Sequence, residues 1–184
     1  MNGLTAIEQD IDAAVALFDR PVLLTQPATT KLYRFWSDTV DRHGCFTRTD
    51  ADMLNLPRSV LPHVMILEAS HQKNGQIRMR YRLSGSHIDE KYGANLTGRY
   101  VDELDTREWK FFWNSACPAP IVSGNPAHGI VSIGWQDREH IYAEFVFMPM
   151  ARDESAEPNM LLCSVEFFAR NDLLEGRVYH KPPL

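Results

Sequence analysis

The stretch Ile77-Arg78-Met79-Arg80-Tyr81-Arg82-Leu83-Ser84-Gly85 alternates apolar and basic side chains without a break. A period of two belongs to a β-strand, so Ile77, Met79, Tyr81 and Leu83 are expected on one face and Arg78, Arg80 and Arg82 on the other. Just upstream, Lys73-Asn74-Gly75-Gln76 is a turn signal, and residues 63–69 before it are apolar enough for a partner strand. An antiparallel hairpin follows from these three pieces. Its arginine row reads as a solvated or salt-bridged face, with Glu144 or Glu166 on neighbouring strands as candidate neutralising partners. A docking face for an acidic partner is the sharper alternative.

Downstream of the hairpin, Ser86-His87-Ile88-Asp89 has the form of a capping box opening a short helix, and Gly93 supplies the left-handed residue that would close it. Asp105-Thr106-Arg107-Glu108 is a second acidic cap, and Trp109, Phe112, Trp113 and Ala116 then recur at the spacing of one helix face, limited by Pro118 and Pro120. Three further strands are expected over residues 129–135, 140–148 and 160–169.

Upstream, Ile7, Ile11, Val15 and Phe18 form the apolar stripe of an amphipathic helix that Arg20-Pro21 stops. A linker over residues 24–30, with Pro27 and threonines suited to capping, precedes a second helix carrying Leu32, Phe35, Trp36 and Val40 and ending near His43-Gly44. Asp50 is placed to cap a brief turn, and Pro57 and Pro62 punctuate the approach to the first strand. The expected organisation is flanking helices in residues 1–44, a domain in 45–170 and a tail in 171–184.

The chain of 184 residues is long enough for one domain with additional helix, and 44% hydrophobic with 23% charged residues is an ordinary globular composition. The net charge of -5 is spread along the chain, which argues against a nucleic-acid footprint. No run approaches the roughly 18 apolar residues of a membrane span, and the first thirty residues lack a secretory signal, so a cytoplasmic location is expected. Cys45, Cys117 and Cys163 are too far apart for a C-x-x-C pair and read as buried or idle thiols.

The order of these elements resembles a PAS domain. Tyr81-Arg82-Leu83-Ser84-Gly85, then Tyr92-Gly93, then Leu96-Thr97-Gly98-Arg99 is similar to the strand-to-helix signature of stand-alone bacterial PAS-type proteins, as is Thr47-Arg48-Thr49-Asp50 with Leu61-Pro62-His63-Val64. The resemblance covers residues 45–170 and implies an α+β fold: a five-stranded antiparallel sheet whose concave face and covering helices enclose a ligand pocket or a packed core. Some such domains form a flavin photoadduct through a Gly-x-Asn-Cys motif; Gly93-Ala94-Asn95-Leu96 offers leucine instead of the thiol, which disfavours a covalent flavin adduct. Haem is disfavoured too, because the long aromatic helix carries no axial histidine and His87 is the sole candidate nearby.

His43-Gly44-Cys45 is a loop pair rather than an expected thiol-base dyad, and phosphate-loop, metal-ligand and carboxylate-pair patterns are absent from the sequence, so no catalysis is expected. Tyr81, Tyr92, Trp113 and Trp135 are the candidate pocket residues for a small apolar or aromatic ligand, with core packing as their plainer role. Ile7, Ile11, Val15 and Phe18 are the candidate contact for a homodimer or a signalling partner, the other reading being that this helix folds back on its own sheet. The expected function is a single-domain sensory protein without its own output domain. A ligand-free adaptor and a small enzyme on an apolar substrate are the alternatives; nucleic acid, membrane and metal are not expected partners, and the ligand itself is left unnamed.

Overall fold

The computed structural model describes residues 24–73, 75–104, 117–132, 141–154 and 156–169. Helix α1 spans Pro27–His43. Pro27 suits its first turn because the ring presets φ and the missing N–H has no intrahelical partner there. Gly44 ends it in the left-handed region at φ 79°, donating its N–H to the Val40 carbonyl. The linker expected over residues 24–30 is therefore already helical from Pro27.

Five strands follow: β1 (Val64–His71), β2 (Ile77–Ser84), β3 (Ala127–Ser132), β4 (Ile141–Met150) and β5 (Met160–Ala169). They form one antiparallel sheet in the order β2-β1-β5-β4-β3. Between β2 and β3 the chain makes the short helices α2 (Ser86–Tyr92) and α3 (Ala119–Ser123) and a 3-10 turn at Val101–Glu103. The architecture is the α+β, PAS-like sheet with covering helices that the sequence implied. The last strand coincides with expectation, whereas β3 and β4 are displaced by two residues or fewer at their described ends.

Alternation along the strands sorts the core into two layers. Met65, Leu67, Met79, Tyr81, Phe145, Phe147, Leu161 and Cys163 pack on the inner face with Ile88 of α2 and Leu96. Val64, Ile66, Val146, Met148, Met150, Met160 and Leu162 pack on the outer face beneath Leu32 and Trp36 of α1. The Trp36 indole N–H donates to the Pro149 carbonyl at 3.0 Å, fixing α1 along β4. Phe46, Ala51, Leu56 and Val60 complete the outer layer.

The hairpin contains one irregularity. Leu67 pairs with Tyr81 and Ile66 with Leu83, which leaves Arg82 as an extra residue on β2. The bulge reverses the side-chain sense, so Leu83 packs in the outer layer and not beside Tyr81 as strict alternation predicted. Nor does the arginine row meet Glu144 and Glu166. Arg78 contacts Asp102 and Glu103 at 2.9 Å each and lies 3.6 Å from the Tyr100 ring centre. Arg82 pairs with Glu68 at 3.5 Å, and Arg80 donates to the Gly98 carbonyl at 3.2 Å. Arg78 and Arg80 fasten the sheet edge to the segment after α2, whereas the Arg82 pair stays within the hairpin.

That edge explains the spacing of the family-like motif. Tyr81 N–H donates to the Arg99 carbonyl at 2.9 Å, and Gly98 N–H donates to the Tyr81 carbonyl at 2.8 Å. Gly98 adopts φ 89°, the turn that returns the chain to β2. The expected capping box is not formed: Gly85 is the N-cap of α2, without a side-chain cap, and Asp89 Oδ1 instead accepts the Leu96 N–H at 3.1 Å. Gly93 closes α2 in the left-handed region as expected.

Candidate functional site

The inner face gathers four groups able to donate hydrogen bonds within an apolar layer. Tyr81 and Cys163 come from β2 and β5, Tyr92 from the end of α2, and Cys117 precedes α3. Burial pushes the Tyr81 phenol well up, with further upward contributions from Tyr92, Cys117 and Cys163. Tyr92 and Cys117 are likewise pushed up by burial, as is Cys163, to which Cys117 adds. All four therefore stay protonated and act as neutral donors near pH 7. Phe145 and Phe147 supply aromatic surface beside them, their ring centres 4.8 Å apart.

Of the candidate pocket residues, the structure brings Tyr81 and Tyr92 to one cluster. Trp113 and Trp135 lie outside the described residues, as do the long aromatic helix and the stripe of Ile7, Ile11, Val15 and Phe18. Cys117 and Cys163, read from the sequence as buried or idle thiols, are both buried. Their membership of the Tyr81 cluster depends on chain crossings that no local pattern records.

The outer face holds the other feature that sequence reading missed. Glu144 is fully buried at 1% exposure and lies directly opposite Glu166 on β5. Two carboxylates in that register repel, so each needs a donor. Glu144 receives the Thr25 N–H at 2.8 Å, the Thr25 hydroxyl at 2.7 Å and the Gln26 N–H at 2.9 Å, and also accepts from the Thr29 hydroxyl. Glu166 accepts the Ala28 N–H at 2.6 Å. The N-cap residue Gln26 makes no side-chain cap and the first turn of α1 has no acidic residue of its own, so the sheet supplies the acceptors. The threonines expected to cap α1 are instead donors to Glu144. A visible clue existed: Glu144 and Glu166 each interrupt an otherwise apolar strand.

At the junction between β1 and α2, the rings of His63 and His87 lie 4.7 Å apart, and His87 also contacts Phe167 at 5.8 Å. Burial pulls His87 below its usual range, helped by His63 and Lys91 and opposed by Glu90 and Glu166. Burial lowers His128 too, against the field of Glu144. Both histidines favour the neutral form when folded. Their contribution to stability is present above the ordinary histidine value of 6.5 and is lost as pH falls from there through their lower folded values. The thermal midpoint is accordingly expected to fall between pH 7.5 and 5.5, and His87→Gln should reduce that slope; an unchanged slope would remove His87 from the account.

Elsewhere, an open groove of about 520 Å³ is lined by His43, Cys45, Asp50, Asp153 and Glu154 among others. Asp50 is occupied there by the Thr47 N–H and hydroxyl, both at 2.8 Å. The groove is open to solvent and carries the carboxylates Asp50, Asp153 and Glu154, so it lacks the enclosure of a small-ligand site. Among the described residues, no group of three His, Cys, Asp or Glu side chains is arranged to hold a metal ion, and no described helix is long and apolar enough to cross a membrane.

No protein-family model matches the chain, and no curated protein matches it. A solved structure described as that of an RNA-binding light-oxygen-voltage receptor is similar over 95% of this chain and 63% of its own length, with 12% identity and a TM-score of 0.40. A likeness at that level carries no argument about function. The fold assignment rests on the strand order and pairing themselves.

Proposed function

We propose that this chain is a sensory module of the stand-alone bacterial PAS type, acting through a small ligand or a protein partner and not through catalysis. The observation that carries this reading is the sharing of β4 and β5 by both layers. Phe145 and Phe147 face the Tyr81 cluster, while Val146 and Met148 between and after them face α1. Repacking the inner face moves strands whose next residues support α1. The carboxylate clamp at the start of α1 makes that helix responsive to small strand shifts, since four acceptor contacts to Glu144 depend on its position.

Ile7, Ile11, Val15 and Phe18 are the proposed contact for a signalling partner or for a second copy of the chain. Native mass spectrometry and an absorption spectrum of the purified protein test the ligand reading. A small molecule retained at one per chain is expected. A bare chain that also leaves α1 unchanged when challenged with apolar probes would support a ligand-free adaptor instead.

A further inference from the structure

We infer that the contact between His63 and His87 is a proton-operated latch, which holds the short helix α2 in place at neutral pH and releases it locally on mild acidification. The inference goes beyond the sensory reading and requires no ligand.

α2 has seven residues, too few to persist as a helix without packing. At its start the Gly85 N–H donates to the Val64 carbonyl at 2.8 Å. Ile88 is fully buried in the inner layer, and Tyr92 packs against that layer. On its remaining side the His87 ring lies 4.7 Å from the ring of His63, the last residue of the 3-10 helix Arg58–His63, and 5.8 Å from Phe167 of β5. Among the described residues, His63 Nδ1 is buried with no hydrogen-bond partner, so no bond at that atom fixes the ring pair. An ordinary imidazole changes charge between about pH 5 and 8, whereas a backbone amide or an isoleucine does not. The histidine contact is thus the anchor of α2 that mild acid alters.

The charges around His87 set the direction. Among the described residues, His63 faces it from the 3-10 helix, Lys91 and Glu90 lie on α2 itself, and Glu166 acts from β5; Phe167 brings no charge. Burial, His63 and Lys91 disfavour a proton on His87, and together they outweigh Glu90 and Glu166. Glu166 is also committed to the Ala28 N–H of α1 at 2.6 Å. An imidazolium at His87 therefore gains by leaving the junction for water, and the neutral ring gains by staying. Proton uptake favours the released form, so release grows as pH falls below the ordinary histidine value of 6.5. The β1-β5 pairing beneath, from Val64 opposite Ser164 to Glu68 opposite Met160, is made by backbone groups that do not titrate, which keeps the change local. Its reach includes the sheet edge, because Asp89 of α2 holds the Leu96 N–H shortly before the Gly98 turn onto β2.

Hydrogen exchange of the full chain between pH 7.5 and 5.5 tests the latch, with rates expressed as protection factors so that the intrinsic pH dependence of exchange is divided out. Protection at Ile88, Asp89 and Gly93 is expected to fall several-fold more than protection at Leu161 and Leu162 of β5. His87→Gln and His63→Gln, which keep a polar side chain without a titrating charge, should each shrink that excess. A parallel fall in α2 and β5 of the native chain would overturn the inference. So would an excess that survives either substitution in full. The native-chain comparison needs no variant to fold, and its failure leaves the sensory reading standing, since ligand retention tests that separately.

Discussion

Glu144→Ala is expected to lower the unfolding free energy by about 3 kcal/mol, measured by chemical denaturation, and to expose the first turn of α1 to hydrogen exchange. The substitution removes the acceptor for two backbone N–H groups and two hydroxyls at once. A hydrogen bond to a charged group contributes about 1.5 to 3 kcal/mol, but water can reach part of this site, and the loss of repulsion with Glu166 offsets some of the damage. The balance therefore falls well short of the sum of four contacts. Glu166→Ala should cost about 1 kcal/mol, because it forfeits one backbone contact and relieves the same repulsion. Equal effects of the two substitutions would contradict the unequal sharing of donors.

The second large effect is expected from Gly85→Ala, at about 3 kcal/mol. A methyl group added at Gly85 would stand 2.4 Å from the Pro62 carbonyl oxygen and 2.6 Å from that of Leu61. Both are backbone atoms of the 3-10 helix Arg58–His63, which cannot yield as a flexible side chain can. The comparison with Gly44→Ala separates two reasons for glycine. Gly44 has φ +79° and no atom within 4 Å of the added carbon, so it should lose only the roughly 1 kcal/mol of a left-handed alanine. If Gly85→Ala were as mild as Gly44→Ala, the tight junction between the 3-10 helix and α2 would be misread.

The elements whose identity depends on near neighbours were legible in the sequence. The alternation from Ile77 to Tyr81, the Asn74-Gly75 turn signal, the Leu32 and Trp36 face of α1 and the left-handed residues Gly44 and Gly93 all report on a few adjacent residues. What escaped was set at long range. The bulge at Arg82 leaves the apolar and basic rhythm intact and only reverses which layer Leu83 joins. Glu144 reaches donors 115 to 119 residues away, and a local reading gave it the arginine row because both are strand residues of opposite charge. Asp102 and Glu103 reached Arg78 first, since the Gly98 turn brings them to that sheet edge. Half of the four-residue pocket set, Tyr81 and Tyr92, meets in one cluster that Cys117 and Cys163 complete.

Site and flanking helix lie on opposite sides of one sheet, and the account stands on their mechanical coupling through β4 and β5. Phe145→Leu tests it most directly, because the substitution trims the inner layer without touching α1. Hydrogen exchange of the amides of α1 and of the β1-β2 hairpin would be compared with the global unfolding free energy of the same variant. The account predicts faster exchange at Thr30, Lys31 and Leu32 than the global loss of stability explains, with the hairpin following the global value. Exchange in α1 that changes only in step with global stability would show that the inner face does not communicate with the helix.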